Sequence, residues 1–227
     1  MTSQTATPVR TAMTPTRRYF EKRAEAFDRL YTRQSLGTRL LRPGPRRGRD
    51  LAVSVVARHA SPSVLDVGCG PGRVAEAVIE AGASTYAGID FSPHMLELSR
   101  VRLRDFGERA VFHQGSFLDE EWWQSLPAPF DAIVSMQAIH EVRDSARIPK
   151  LYGELKLLLR VGGIILIADE VNDGDKNEEH LLSLSEHEAA LLKAGFERFR
   201  RVYAAGDLVM FAATRRRSDS TWLLPGF

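Results

Sequence analysis

The sequence has a single cysteine, Cys69, among its 227 residues. It therefore cannot form an internal disulfide framework or an all-cysteine zinc site, and its histidines lack the spacing of a metal-ligand set. No apolar run approaches the roughly 18 residues that a membrane-spanning helix needs, and the first twenty residues lack the apolar centre of a secretory signal. These absences predict a cytoplasmic protein in a reducing environment, with no metal ion and no membrane partner.

Lysine is scarce, because the chain has 26 arginines and only 5 lysines. Basic residues are concentrated between Arg10 and Arg58, where thirteen Lys/Arg stand against four Asp/Glu, a local charge of +9 in a chain of net charge +2. A basic arm of this kind can bind nucleic acid. The alternative is an arginine-rich coding bias, which we favour because no signature of an RNA-binding module accompanies the charge.

The hydrophobic fraction of 44% and the charged fraction of 26% are those of an ordinary globular protein of one domain with appended segments. Residues 1–16, rich in Thr, Ser and Pro, predict a disordered leader. Residues 17–60 predict a helical cap or lid. It would contain one helix at Arg18–Gln34 and another at Leu51–Ala60, joined by a Pro/Gly/Arg connector at Leu41–Asp50.

From residue 61 to residue 215, short apolar segments alternate with amphipathic ones, as in an α/β domain. The predicted strands are Val64–Val67, Thr85–Ile89, Val111–Gln114, Phe130–Met136, Ile164–Ala168, Phe199–Tyr203 and Leu208–Thr214. The predicted helices are Arg73–Ala81, Pro93–Arg104, Ser145–Arg160 and Glu186–Lys193. This order predicts a seven-stranded, mostly parallel sheet with helices on both faces and a C-terminal antiparallel hairpin. The tail, residues 216–227, is partly apolar. Three interpretations of it stay open: it docks on the domain, it contacts a second copy in a dimer, or it is disordered.

The segment Asp66-Val67-Gly68-Cys69-Gly70-Pro71-Gly72 joins the first predicted strand to its helix. Its glycines permit a tight turn and let the backbone approach a ligand, and the following helix directs free N–H groups at the same place. A dinucleotide site needs the spacing G-x-G-x-x-G, but Arg73 stands where its third glycine would be. No base is paired with Cys69, so we interpret it as a small loop residue and not as a nucleophile.

The spacing D-x-G-x-G-x-G resembles motif I of the class I S-adenosylmethionine (SAM)-dependent methyltransferases. Asp90 ends the second predicted strand 24 residues after Asp66, where an acid can accept hydrogen bonds from both ribose hydroxyls. The stretches HQGSFLD, FDAIVSMQAIHEV and LLLRVGGIILIAD match later segments of the family in order, so the resemblance extends from about Val64 to Thr214. It implies a Rossmann-like fold and SAM as the cofactor, with S-adenosylhomocysteine as its product.

The resemblance also implies roles for individual residues. Asp66 would lie near the methionyl amino group, Asp90 would bind the ribose, and Phe91 would cover the adenine. The family often has an Asp for the adenine amino group where this chain has Ser116, and a contact by the backbone of Phe117 stays open. The complete set implied for the cofactor is Asp66, Gly68, Cys69, Gly70, Gly72, Asp90, Phe91, Met95, Ser116, Phe117, Ser135, Met136 and Gln137.

Candidate acceptor-site residues follow the fourth and fifth predicted strands. Histidine titrates near neutral pH, so His140 is the candidate general base, with Glu141 beside it as a second catalytic candidate. Asp169 is a candidate substrate contact, and the alternative is a solvated acid that opens an acidic loop. The first predicted helix has an aromatic face that comprises Tyr19, Phe20, Phe27 and Tyr31. This face would close as a lid over an aromatic or apolar acceptor. The alternative is that it only packs on the core.

These residues predict a methyltransferase that acts on an oxygen or nitrogen of a small molecule of aromatic, quinone or natural-product type. No N/D-P-P-Y/F stretch follows the fourth strand, which argues against the amino-methylating enzymes of DNA and glutamine. Two alternatives stay open: an RNA methyltransferase that uses the basic arm, and a SAM-binding regulatory protein without transferase activity. The expected partner is a small-molecule acceptor, nucleic acid is not favoured, and the chain is expected to be a monomer or a homodimer.

Overall fold

The computed structural model describes residues 15–32, 44–172 and 181–215. Among the described residues, two helices precede the sheet, α1 at Pro15–Thr32 and α2 at Gly44–Val56. The first corresponds to the predicted helix Arg18–Gln34. The predictions for most of the leader and for the tail concern residues outside those described, so they stay predictions.

One seven-stranded sheet lies at the centre of the described residues, in the order β3-β2-β1-β4-β5-β7-β6. The strands are β1 Ser63–Val67, β2 Thr85–Asp90, β3 Ala110–Gln114, β4 Phe130–Met136, β5 Leu159–Glu170, β6 Phe196–Ala205 and β7 Leu208–Arg215. The pairs from β3 to β5 are parallel, and β7 runs antiparallel to both β5 and β6. The predicted mostly parallel sheet with a terminal hairpin is confirmed.

Four helices connect these strands: α3 Arg73–Glu80, α4 Pro93–Leu103, α5 Ile148–Leu158 and α6 Leu184–Lys193. Their ends follow sequence signals. At the start of α4 the Ser92 hydroxyl accepts a hydrogen bond from the N–H of Met95, and Ser183 and Glu186 form a capping box at the start of α6. Gly195, at a φ of +84°, ends α6 as predicted.

Each face of the sheet carries its own hydrophobic cluster. On one face, residues of α5 and α6 such as Leu155 and Leu191 pack on the strands. On the other face, residues of α2, α3 and α4, including Val56, Val78 and Leu96, do the same. A parallel sheet that is covered on both faces explains why its strands are apolar without alternation.

The connector predicted at Leu41–Asp50 is wrong from residue 44 onward, because α2 already begins at Gly44. Pro45 lies in the first turn, where its missing N–H removes no helical hydrogen bond. Gly48 is buried, and a Cβ there would lie 3.5 Å from the Cβ of Ala168, so the glycine serves close helix–sheet packing. Pro45 and Gly48 suggested a break in the sequence, but Pro45 fits the first turn of α2 and Gly48 allows the close contact of α2 with Ala168.

The boundary between the fifth helix and strand also differs from the prediction. The helix ends at Leu158, and β5 begins at Leu159 and not at Ile164. Leu159 pairs with Phe130, and the register then shifts before Ala132 pairs with Ile164. Gly163 lies in this irregular part, where a Cβ would approach the carbonyl of Asp131 to 2.8 Å. Gly162 and Gly163, which the prediction placed at the end of the helix, therefore lie in an irregular part of β5.

The sheet topology brings the predicted site segments to one edge. The parallel strands β1, β2, β4 and β5 end there, and the strand order reverses between β1 and β4. In an open α/β sheet the connections diverge at this point and leave a crevice for a ligand. The glycine loop, Asp90, the turn at 137–141 and Asp169 all lie at these strand ends.

Candidate active site

The glycine loop turns back onto the end of β2. The N–H groups of Gly68 and Cys69 both donate to the carbonyl of Ile89, at 2.9 and 3.1 Å. Gly68, Gly70 and Gly72 have φ values of +76°, +52° and +76°, which are left-handed conformations that other residues rarely adopt. Three glycines are therefore required by the backbone of this loop.

The three glycines differ in what a side chain would meet. A Cβ on Gly68 would collide with the side chain of Ala138, and a Cβ on Gly72 would lie 2.8 Å from Leu103 Cδ1. A Cβ on Gly70 would meet no atom of the described residues within 4 Å. Gly68 and Gly72 thus permit internal packing, whereas Gly70 faces open space at the edge where the strands end.

Asp90 fixes the peptide of Gly70 in this orientation. Its Oδ2 accepts a hydrogen bond from the N–H of Gly70 and its Oδ1 accepts one from the N–H of Ser92, both at 2.9 Å. Ser99, on α4, donates its hydroxyl to the carbonyl of Gly70 at 2.7 Å. Burial raises the pKa of Asp90, while its backbone N–H donors act in the opposite direction. The carboxylate retains free lone pairs for further donors.

Asp66 is a buried acid with one satisfied oxygen. Its Oδ2 accepts a hydrogen bond from the Tyr86 hydroxyl at 2.7 Å, and its Oδ1 is buried without a partner in the described structure. Burial raises the pKa of Asp66 to about 7, although the Tyr86 hydrogen bond acts in the opposite direction and the charge of Asp90 adds to the rise. A ligand that brings a positive donor to Oδ1 would therefore stabilise the ionised form.

Cys69 lies beneath the loop as a packing residue. Its side chain is buried, and burial raises the pKa of its thiol well above the usual range. A thiol that stays protonated is a poor nucleophile. Its interpretation as a small loop residue is consistent with this environment.

The other predicted cofactor residues lie around the same edge. Ser135 is fully buried and donates its hydroxyl to the carbonyl of Val67 at 2.9 Å, which joins the ends of β4 and β1. Gln137 follows at a φ of +55°, with its N–H bound to the carbonyl of Ala168 at 2.7 Å. The four remaining residues are buried or half-buried at these strand ends: Phe91, Met95, Ser116 and Met136.

Phe117 lies close to the glycine loop. One edge of its ring, Cε1, is 3.8 Å from where a Cβ on Gly68 would be, and its carbonyl accepts a hydrogen bond from Arg147 Nη2 at 3.1 Å. Arg147 in turn binds Glu154, at 2.7 Å. The segment after β3 is thus tied to the start of the helical region that follows β4.

His140 and Asp169 form a close pair. His140 Nδ1 lies 2.5 Å from Asp169 Oδ1, and the His140 N–H donates to Asp169 Oδ2 at 3.0 Å. On the other side of the ring, Nε2 is 3.5 Å from Glu141 Oε1. Burial disfavours the imidazolium, but the hydrogen bonds and charges of Asp169 and Glu141 outweigh it and raise the pKa of His140 to about 10.

The predicted aromatic face of α1 is described only at Tyr19. That side chain is 51% exposed, and the guanidinium of Arg23 stacks on its ring at 4.8 Å. The side chains of Phe20, Phe27 and Tyr31 lie outside the described part of the structure. Closure of this face over an acceptor stays a prediction.

Comparison with known sequences gives a family match that begins within β1. A family model described as a methyltransferase domain matches residues 64–163. An uncharacterized methyltransferase of Geobacillus thermodenitrificans is 34% identical over 54% of this chain and 53% of its own length. A ubiquinone biosynthesis O-methyltransferase of Xylella fastidiosa is 33% identical over 46% of this chain and 40% of its own length. The chain thus spans about half the length of the curated relatives it matches.

Solved structures share the fold over most of the chain. Magnesium protoporphyrin IX methyltransferase from Synechocystis, solved with bound SAM, has a TM-score of 0.68 at 17% identity and covers 92% of this chain and 100% of its own. Residues 64–163 thus resemble a methyltransferase domain, and the chain shares the fold of this SAM-bound structure. DesVI of Streptomyces venezuelae matches the chain with a TM-score of 0.63 at 21% identity, over 85% of this chain and 98% of its own.

Sequence reasoning missed three residues that support this site. Tyr86 carries the donor for Asp66, Ser99 holds the peptide of Gly70, and Ala138 lies against Gly68. A tyrosine within an apolar strand is indistinguishable from a core residue in the sequence. The serine and the alanine are ordinary members of a helix and a turn.

Two classes of feature are absent from the part of the chain that the structure describes. None of its helices has the length and apolar character needed to span a bilayer. No group of three or more His, Cys, Asp or Glu residues there could hold a metal ion.

Proposed function

We propose that this chain transfers the methyl group of SAM to an oxygen or nitrogen atom of a small molecule. The observation that carries the proposal is the open space in front of Gly70, beside the two buried acids Asp66 and Asp90. The match of residues 64–163 to a methyltransferase domain supports SAM as the cofactor. The glycine loop supports it as well, because its spacing lacks the third glycine position of a dinucleotide site.

The groups around this space complement the parts of SAM. Asp66 Oδ1 is a buried acceptor without a partner, and a methionyl ammonium group is a donor that would satisfy it. The N–H groups at the start of α3 favour a carboxylate, and Asp90 has lone pairs available for the ribose hydroxyls. When bound, SAM supplies a methyl group already activated on a sulfonium, so the protein chiefly needs to align the acceptor and exclude water.

A small acceptor is supported by the relatives and by charge. The names of the Xylella O-methyltransferase and of the Synechocystis enzyme refer to ubiquinone and to a porphyrin. At the acceptor end of this site stand Glu141, Asp169 and Glu170, which together disfavour a polyanionic substrate. We propose an acceptor of aromatic, quinone or natural-product type.

We propose His140 as the group that takes the acceptor's proton. Methylation of a hydroxyl forms an oxygen–carbon bond, breaks the sulfur–carbon bond and releases one proton. Asp169 holds Nδ1 and the backbone of His140, so a substrate would exchange its proton at Nε2, where it would replace the contact of that nitrogen with Glu141 Oε1 at 3.5 Å. Because the raised pKa keeps His140 protonated near neutral pH, it must first lose that proton, and we expect the rate with a hydroxyl acceptor to rise with pH toward about 10.

Calorimetry on the pure protein tests the cofactor. We expect SAM and S-adenosylhomocysteine to bind and NADH to give no heat. Strong binding of NADH with no response to either sulfur compound would overturn the proposal. A metabolite extract incubated with methyl-labelled SAM then identifies the acceptor from the molecule that gains the label.

His140→Ala tests the proposed base. With a hydroxyl acceptor, kcat should fall by roughly 100-fold or more, while the affinity for SAM stays unchanged. His59→Ala, beyond the end of α2 and before β1, is the matched control and should retain full activity. Undiminished kcat in His140→Ala would remove the base role.

The two alternatives make different predictions. An RNA methyltransferase would bind RNA with an affinity that falls steeply with salt and depends on the basic arm. A regulatory protein would bind SAM but form no S-adenosylhomocysteine with any acceptor pool. The comparisons favour neither alternative, and the cytoplasmic location and the monomeric or homodimeric state stay predictions.

A further inference from the structure

One carboxylate joins α1 to the cofactor loop. Arg73 Nη2 donates to Asp28 Oδ1 at 2.8 Å and to the Asp28 carbonyl at 2.6 Å. Arg102 Nη2 donates to the same Oδ1 at 2.7 Å. The three side chains are only 18–19% exposed, so solvent and salt screen these ion pairs less than those of a fully exposed surface.

Both arginines are themselves attached to the glycine loop. Arg73 directly follows Gly72 and is the first residue of α3. Arg102, on α4, donates its Nε to the carbonyl of Pro71 at 2.9 Å. The carboxylate of Asp28 therefore meets two guanidiniums that flank the peptides between Pro71 and Arg73.

The carboxylate of Asp28 offsets a cluster of positive charge beside the loop. Burial lowers the pKa of Arg73 and the positive charge of Arg102 lowers it further, while Asp28 opposes both effects. Removal of the negative charge would leave two close guanidiniums that repel each other, with the more exposed carboxylate of Glu76, 3.8 Å from Arg102 Nη1, as a weaker counter-charge. Because Arg102 also holds the Pro71 carbonyl, that repulsion acts on the loop itself.

We propose that Asp28 is a positioning residue for the cofactor loop, so that docking of α1 and binding of the cofactor are coupled. The inference rests on the proposed use of SAM. Asp28 does not touch the cofactor; it acts through Arg73 and Arg102, which hold the loop with Gly70 facing the open space. Coupling of this kind is reciprocal: α1 strengthens cofactor binding, and the cofactor strengthens the docking of α1.

Asp28→Asn in the full chain tests the affinity side of this coupling. The substitution keeps an oxygen acceptor and removes the charge, and we expect S-adenosylhomocysteine to bind roughly tenfold more weakly by calorimetry. Glu21→Gln, an acid two turns earlier on the same helix, is the matched control and should bind as the wild type does. Equal affinities of Asp28→Asn and Glu21→Gln would overturn the inference.

Hydrogen exchange tests the reciprocal side. In the wild type, S-adenosylhomocysteine should slow exchange of the α1 amides, and in Asp28→Asn this response should disappear while protection near Gln137 persists. An α1 that exchanges at the same rate with and without ligand in the wild type would contradict the coupling. Failure of the wild type to bind S-adenosylhomocysteine would instead refute the proposed function, so the two failures are distinguishable.

Discussion

At the scale of single residues, the three loop glycines have the same conformation for different reasons. Gly68 and Gly72 leave room for the side chains of Ala138 and Leu103, whereas Gly70 faces open space that a ligand could fill. The sequence alone predicted the tight turn, because only glycine fits repeated positive φ values. It could not predict which glycine faces the ligand, because that depends on Ala138 and Leu103, which come from distant parts of the chain.

Gly70→Ala should weaken cofactor binding far more than it weakens the fold. The left-handed φ costs about 1 kcal/mol for alanine, and the new Cβ would project into the ligand space, so we expect at least a tenfold loss of S-adenosylhomocysteine affinity by calorimetry. Gly206→Ala is the control, because Gly206 has a φ of +61° and also faces open space, but lies in the β6–β7 turn. It should lose similar stability and no affinity; equal affinity losses would contradict our assignment of Gly70.

The raised pKa of Asp66 predicts proton release on cofactor binding. Without ligand the acid is largely protonated below about pH 7, and an ammonium group at Oδ1 would favour the ionised form. Affinity should therefore increase with pH up to about 7, by at most tenfold per pH unit. Calorimetry in buffers of different ionisation heat measures the released protons, and Asp66→Asn should abolish both the release and the slope. A flat profile in the wild type would show that Asp66 does not meet the ammonium group.

At the scale of elements, strands were easier to predict than the ends of helices. Apolar runs act locally, so the sequence contains the information that places the strands, whereas the predicted start at Glu186 missed the cap at Ser183 that begins α6. The predicted starts of α2 and β5 were wrong, because the observed starts depend on contacts with residues far along the chain. Gly48 packs on Ala168, and Leu159 pairs with Phe130, and neither contact can be derived from neighbouring residues.

Helix α6 is attached to α5 by a pair that acid should break. His187 Nδ1 lies 2.6 Å from the hydroxyl of Tyr152, and burial lowers the pKa of His187 to about 4. Near pH 6.5, His187 takes up a proton in the unfolded chain but not in the folded chain. The neutral pair therefore contributes fully to the free energy of unfolding above pH 6.5, and this contribution is lost as the pH falls toward the folded pKa. The free energy of unfolding should fall by about 3 kcal/mol between pH 6.5 and 4 on this account.

His187→Gln isolates this effect because glutamine can accept from Tyr152 and does not titrate. Urea unfolding of both proteins from pH 7 to pH 4 gives the comparison. The variant should lose less stability than the wild type over this range. Parallel curves would show that His187 is protonated without cost in the folded state.

At the scale of the whole molecule, the sequence predicted the architecture because alternating strands and helices permit few arrangements. The segments that contain the predicted site residues also lie together, since parallel strands place their ends at one edge. The pairing of His140 with Asp169 was not predicted, although both residues were candidates, because their distance depends on the register of β4 against β5.

Ligand binding should be visible in the stability of the entire chain. A ligand that binds only the folded state, at 100 times its dissociation constant, adds about 2.7 kcal/mol. For a chain of this length that corresponds to a rise of about 5–10 °C in Tm. Thermal unfolding should show this rise with S-adenosylhomocysteine and none with NADH at the same concentration; the reverse pattern would contradict SAM as the cofactor.

The position of β7 has a consequence for biosynthesis. This strand leaves the ribosome after β5 and β6, yet in the finished sheet it lies between them. Until it arrives, the apolar edge of β5 from Ile164 to Ala168 has no neighbour on that side. At usual translation speeds that interval is on the order of seconds, long enough for a nascent edge strand to capture another chain, so this protein should depend on chaperone protection until Arg215 has emerged.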